Sequence, residues 1–534
     1  MKGTGCTRMS PDSPQSFADL APDPSWSFAD CTAAQTGYLT HCYHRYPAKF
    51  IPQVAARLIR EHSEPGGCVL DPFMGSGTTL VEALVNGRRA RGIDINPAAV
   101  IASRAKTRAI EPARLRTAIA DLLDRISSLE GERRGRPLFS PPEPLMPPNQ
   151  ERLDFWFPRD QQRRLGIVLA AIEATVVRPS GAEMDPSRRD GPLPIDAAVR
   201  DFLRCAFSHV LKGASYWLMK SSKPTRDKKK VADGVTNPLR PLRQHLGKME
   251  RANAAFWNAL PADFRGKDGG LADVRRGDAR QLPWPDASVD LAVTSPPYVT
   301  SYEYADLHEL TALWLGGVAE LTVSKADFIG SAASRRERGL VRRATVGSSD
   351  RAPAEGESPA RLDKPAVAQK RPEANSELGR RIVAALREKS ESKAEEARQY
   401  FLDMQEVFGE LRRVLVAGGK VCNVIGNTAL EGVEILNAEV QAEILASLGF
   451  EMAEVIRRVI PLKTLPQVRD PKSGKFTSAP RSESVEAYPE EFILIAVKRW
   501  RASPPDVDPK PSLTWEYRIG AIIRAEDKKA LQQG

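Results

Sequence analysis

The chain has 534 residues, 78 Lys and Arg against 68 Asp and Glu, and a hydrophobic share of 41%. That size suits a compact domain with long inserted or connecting segments, and a net charge of +10 favours a polyanionic partner. No apolar run approaches the roughly 18 residues a membrane span needs, and the first residues lack the apolar core of a secretory signal. Six scattered cysteines without a CxxC pair argue against a disulfide framework or a structural metal site, so a cytoplasmic protein without metal is expected.

Residues 1–40 are rich in Ser, Pro, Asp and Ala and read as a disordered tail. Order is expected from His41. Pro52 suits a first helical turn, and Val54, Ala55, Leu58 and Ile59 follow at helical spacing. Cys68–Leu70 reads as a strand, Thr78–Asn86 as a helix, and Ala90–Ile93 as a second strand ending in Asp94, after which Pro97 opens another helix. Acids at both strand ends and a glycine loop between them are the grammar of a doubly wound parallel sheet. Residues 41–109 therefore form the first half of a core.

Residues 110–270 carry helical patterns at 115–129, 160–177 and 195–212 between Pro-rich linkers, and read as a helical insertion. The sheet resumes in residues 271–330, with strands at 272–275 and 291–294 and a helix at 300–316. Residues 331–398 are poor in large apolar side chains and read as a mostly disordered loop. In residues 399–500 a helix at 400–416 closes on Gly418-Gly419. Strands follow at 420–425, 452–460 and 492–498, the last two as an antiparallel edge hairpin, with a helix at 435–448. Residues 501–534 are an extension. The helix face Asp403, Glu406, Glu410 reads as solvated.

Two segments carry chemistry. In Asp71-Pro72-Phe73-Met74-Gly75-Ser76-Gly77-Thr78-Thr79, the glycines let backbone pass close to a ligand, and the next helix offers unpaired N–H groups. No Lys-Ser/Thr follows, so it is not a P-loop. Asp94, about 20 residues on, stands where an acid binds ribose hydroxyls. In Thr294-Ser295-Pro296-Pro297-Tyr298, the prolines remove two donors and leave carbonyls free to accept. Ser295 adds a neutral hydroxyl and Tyr298 a flat face. Two basic runs flank this second segment. Residues 220–251 hold ten Lys/Arg against three acids, and residues 457–481 hold seven against one.

The pair DPFMGSGTT and TSPPY, with GIDIN and GDARQLPWPDASVDLAV between them, closely resembles the S-adenosylmethionine-dependent DNA amino-methyltransferases. These methylate N4 of cytosine or N6 of adenine, and the likeness covers roughly two fifths of the chain. It implies a Rossmann-like class I fold with the cofactor half preceding the catalytic half. Carried over by motif, Asp71, Phe73, Gly75, Gly77 and Thr78 line the methionine end of the cofactor, with Tyr46, Pro47, Lys49 and Phe50 closing over it. Asp94 holds the ribose and Asp278 the adenine amine. Ser295, Pro296, Pro297 and Tyr298 form the catalytic segment. Because the family's adenine enzymes usually place Asp or Asn where Ser295 stands, the serine leans towards cytosine N4. No cysteine follows a proline, which disfavours methylation at ring carbon 5. The expected partners are double-stranded DNA, met through Lys220, Lys223, Arg457, Arg458, Lys463 and Arg469, and a cognate restriction endonuclease or defence proteins. The preferred recognition loop is 463–478, with the helical insertion its rival.

Overall fold

A computed structural model of the protein describes residues 17–46, 50–129, 142–175, 197–221, 224–266, 271–299, 308–315, 329, 373–460, 468–469, 476–477, 485–486 and 490–499. Its centre is a seven-stranded sheet of β1 (Cys68–Asp71), β2 (Arg89–Asp94), β3 (Ala272–Arg276), β4 (Val289–Thr294), β5 (Leu415–Ile425), β6 (Phe450–Val459) and β7 (Glu490–Lys498). The spatial order is β3-β2-β1-β4-β5-β7-β6. The first five strands pair in parallel, and β7 inserts antiparallel between β5 and β6. The expected hairpin of β6 and β7 is present, but β7 pairs on both sides and only β6 forms the edge.

Strand side chains alternate between faces, and here both faces are covered. Val69, Leu291, Val293, Cys422 and Ile493 join one core with helices α1 (Pro52–His62) and α2 (Thr78–Val85). Cys68, Leu70, Val289, Ala292 and Val421 join the opposite core. That second core is filled by the helices Glu377–Lys389, Glu391–Val414 and Asn437–Ser447. Two-sided burial is why these strands read as continuous apolar runs rather than alternating ones.

The inserted residues are mainly helical where described, at Pro112–Ile126, Gln150–Trp156, Arg159–Ala174, Ala197–Leu211, Lys228–Asp233 and Leu239–Ala259. They share one apolar core with Tyr43 and with Leu310, Leu313 and Trp314 of the helix Glu309–Leu315, which follows the SPPY segment. Among the described residues no helix is long and apolar enough to cross a membrane.

Three expectations need correction. Residues 17–40 pack against the sheet rather than forming a loose tail. Phe17 and Trp26 are buried, Phe17 lies 5.9 Å from Phe492, and Arg57 stacks 3.9 Å over Trp26. Within residues 331–398, the part from Glu377 is helical, because Leu378, Ile382, Val383 and Leu386 return to one face at helical spacing. The glycine pair Gly418-Gly419 does not close a helix. The helix ends at Val414, and the glycines lie inside β5 where its register against β4 shifts, as in a bulge.

Candidate functional site

The site is a cleft at the carboxyl ends of β1, β2 and β4. Open α/β sheets bind ligands at that end. Its walls include Tyr46, Phe50, Asp71, Phe73, Gly75, Ser76, Thr78, Asp94, Asp278, Ser295 and Pro297. Of the expected cofactor residues, all but Pro47, Lys49 and Gly77 are therefore brought together. Lys49 and Pro47 lie outside the described residues.

The loop after β1 is held by two acids. Asp71 is buried, and its carboxylate accepts from Thr79 Oγ1 at 2.7 Å, Thr294 Oγ1 at 2.8 Å and the Phe73 N–H at 3.0 Å. It thus ties the glycine loop to α2 and to the end of β4. Asp94 accepts from the Gly75 N–H and the Asn96 N–H, each at 2.9 Å. Burial pushes both carboxyls up to about 6, against the pull of the hydrogen bonds they accept. Asp278 is gripped by Arg280 through Nε at 3.0 Å and Nη2 at 2.5 Å, and Arg280 also reaches buried Asp403 at 2.9 Å. Asp403 is therefore not a solvated residue. Glu410 is likewise engaged, accepting from the Leu282 N–H and from Arg413, each at 2.7 Å.

The two glycines have different reasons to be glycine. Gly75 has φ +48°, and a Cβ on it would stand 3.1 Å from the Tyr46 ring in the cleft. Gly77 has φ +78°, and its Cβ would meet Ser103 of the neighbouring helix at 2.8 Å. Gly77 thus allows helix packing and caps α2 in the left-handed region, rather than lying beneath a ligand. A residue not singled out from sequence is Ser76. Its hydroxyl is buried, lines the cleft, and has no partner among the described residues. A buried hydroxyl without a partner is costly unless a ligand supplies one.

The SPPY segment leaves β4 with Ser295 and Pro297 on the cleft wall. Ser295 Oγ and the Pro296 carbonyl have no hydrogen bond from the described residues. The Pro297 carbonyl is taken: Tyr400 donates its hydroxyl to it at 2.8 Å. Gln441 Nε2 donates to that hydroxyl at 2.9 Å, and Asn423 Nδ2 to Gln441 Oε1 at 2.6 Å, all three residues being buried. Tyr298 does not line the cleft. Its ring packs beside Gly426 and the cluster of Phe17, Ile425 and Phe492.

Two of the expected DNA-contacting arginines, Arg457 and Arg458, are committed to ion pairs within the fold. Arg457 binds Glu490 through two nitrogens at 2.5 and 2.6 Å and donates to the carbonyls of Ala18 and Leu20. Arg458 is buried on β6 against Glu491. Guanidinium groups locked into the fold are not offered to phosphate. The cause lies in sheet register, which sets Arg458 opposite Glu491. Lys463 and Lys223 lie outside the described residues. Arg469 falls in a short strand, Val468–Arg469, between Phe476–Thr477 and Val485–Glu486. Lys220 is exposed.

A mostly parallel seven-stranded sheet with an inserted antiparallel strand, a glycine loop after β1 and an acid ending β2 define a class I methyltransferase core. The family model for DNA methylases of the N6/N4 type matches residues 15–104, a span that begins in the packed N-terminal segment. The chain is 26% identical over 467 residues to the type II methyltransferase M.MvaI of Kocuria varians, covering 84% of this chain and 91% of that one. It is 36% identical over 85 residues to the type II methyltransferase M.MjaII of Methanocaldococcus jannaschii, 16% of each chain. It is 35% identical over 89 residues to the DNA adenine methyltransferase YhdJ of Escherichia coli, 17% of this chain and 28% of that one. These matches support the S-adenosylmethionine-dependent DNA amino-methyltransferase family for this chain. Its cleft fits that cofactor: buried Ser76 Oγ lacks a partner among the described residues, no side chain caps the first turn of α2, and the acid ending β2, Asp94, lines the cleft. Among the described residues no group of three or more His, Cys, Asp or Glu is placed to hold a metal ion.

Proposed function

We propose that this methyltransferase modifies N4 of cytosine in double-stranded DNA. The observation that carries the reading is the pair of open acceptors at the SPPY segment, Ser295 Oγ and the Pro296 carbonyl, with Ser295 on the cleft wall. S-adenosylmethionine supplies an electrophilic methyl group when bound. An exocyclic amine conjugated to its ring is a poor nucleophile. Hydrogen bonds from its two protons to Ser295 and Pro296 draw the nitrogen lone pair out of conjugation and aim it, so catalysis is positioning and electrostatics.

The remaining roles follow. Asp94 accepts from the ribose hydroxyls, Asp278 from the adenine amine, and Tyr46 and Phe50 cover the methionine end. Removing the target base from the duplex costs a few kcal/mol, which contacts in the site must offset. A serine hydroxyl is neutral and small, which favours the cytosine amine over the reading that the adenine-specific relative suggests. The expected partner is a nuclease that cuts the same sequence. DNA from cells expressing the protein should carry N4-methylcytosine at one sequence, read by base mass spectrometry and methylation-sensitive sequencing. N6-methyladenine alone would overturn the cytosine assignment while leaving fold and cofactor in place.

A further inference from the structure

With Arg457 and Arg458 committed to ion pairs inside the fold, the grip on DNA has to come from elsewhere. The helical insertion offers a built surface. After the helix Ala197–Leu211 the chain runs out over residues 216–221 and back over 224–227. The Leu218 N–H donates to Thr225 O at 2.8 Å and the Asp227 N–H to Tyr216 O at 2.7 Å, and Trp217 and Arg226 form an antiparallel bridge. The base of this finger is rigid. Trp217 is buried and stacks on Trp156 at 4.9 Å. Lys230 Nζ donates to the carbonyls of Lys212, Ser215 and Trp217 at 3.1, 2.9 and 2.8 Å.

The outer face is the reverse of a settled surface. Met219 is 44% exposed and Phe155 40% exposed. Exposed Arg226 lies 5.0 Å from both the Phe155 and the Tyr216 rings. Lys220, Lys228 and Lys229 are exposed around it. Among the described residues no carboxylate pairs with any of these four cations. Bare cations interleaved with aromatic and thioether side chains match a polyanion that also offers flat or apolar faces. Nucleic acid provides both, through phosphates and bases.

The finger is also connected to the chemistry. Arg152, whose guanidinium lies 5.2 Å from the Phe155 ring, and Trp156 Nε1, at 3.0 Å, both bond Glu309 Oε1. Glu309 opens the helix after the SPPY segment. The preceding residue, His308, stacks at 4.7 Å on Tyr46, a wall of the cleft. A chain of packed side chains thus links the finger to the methyl-transfer site.

We propose that residues 216–221 and 224–229, with Phe155, form the surface by which this enzyme holds duplex DNA beside its cleft, the lysines on phosphates and Met219, Phe155 and Arg226 against the bases. The inference rests on the DNA-methyltransferase reading but not on which base is modified.

The test measures fluorescence anisotropy of a labelled duplex with the full chain over a range of salt. Replacing Lys220, Lys228 and Lys229 by Gln should lower the slope of log affinity against log salt by about 0.9 for each phosphate that is no longer neutralised. Met219→Ala with Phe155→Ala should weaken affinity about fivefold or more with little change in slope. Both variants should bind S-adenosylmethionine as the wild type does in calorimetry, which shows that the fold and cofactor cleft are intact. Wild-type affinity and slope in both variants would overturn the surface, even if cytosine is methylated. Loss of self-association with DNA affinity intact would overturn it in favour of a protein contact. Weakened DNA binding supports it whichever base carries the new methyl.

Discussion

The loops that leave β1 and β4 lie side by side at one end of the sheet, yet they are held in opposite ways. The loop after β1 is fixed from within, by Asp71 and Asp94 accepting from its own N–H groups and from the hydroxyls of Thr79 and Thr294. The SPPY segment is fixed from outside, by Tyr400 holding one carbonyl, backed by Gln441 and Asn423. A loop that must cradle a ligand can use its own polar groups for rigidity and still present Ser76 and the helix amides. On the proposed mechanism the SPPY loop keeps its acceptors open for a substrate amine, so its rigidity comes from a residue about 100 positions away.

The sharpest way to break this comparison is to remove the open acceptor. Ser295→Ala should lower kcat by about 30- to 1000-fold, ~2–4 kcal/mol, with little change in S-adenosylmethionine affinity. Single-turnover methyl transfer measures it, and near-normal transfer would sink the assigned mechanism.

Asp94→Asn comes next. Loss of a charged acceptor for hydroxyl groups should weaken cofactor affinity by about 10- to 150-fold, ~1.5–3 kcal/mol, in calorimetry. The pH dependence supplies an independent check. Wild-type affinity should fall as pH drops through about 6, where Asp94 takes up a proton, and the Asn variant should lose that dependence. The stability sign runs the other way. Asp71 and Asp94 carry raised values when folded, so the folded state binds more protons between roughly pH 4 and 6. Stability of the ligand-free protein should therefore fall as pH rises through that window.

Tyr400→Phe releases the Pro297 carbonyl without touching the cleft wall. We expect kcat about tenfold lower, ~1.4 kcal/mol, with KM for S-adenosylmethionine unchanged. A lower melting temperature with intact kcat would mean that Tyr400 only stabilises the fold.

The smallest effect on chemistry should come from Gly77→Ala. A left-handed φ and the close approach to Ser103 predict a stability loss of about 1–3 kcal/mol in denaturant titration. Cofactor affinity of the folded fraction should not change. A selective loss of cofactor affinity would place Gly77 in the ligand site after all.

Much of the site was legible because its signals are local. The glycine loop, Asp94 at a strand end and the two prolines of SPPY are each read within a few residues. Ser76 was within sight in the same motif, and only burial revealed that its hydroxyl lacks a partner. The packed segment from Phe17 was hidden by its composition, although Trp26 and Phe17 are apolar anchors. The Tyr400 clamp had no local sign, since a tyrosine on an amphipathic helix reads as core.

What the sequence determines here is the order of strands and helices, the glycine loop and the SPPY segment, because backbone conformation at Gly and Pro and the apolar pattern of strands are properties of adjacent residues. The tertiary structure decides which charges remain available. Arg457 and Arg458 look like the exposed cations of residues 220–229 until the pairing of β6 with β7 sets Glu490 and Glu491 against them. A charge is free or committed according to what lies across from it, and that neighbour is more than 30 residues away in the chain.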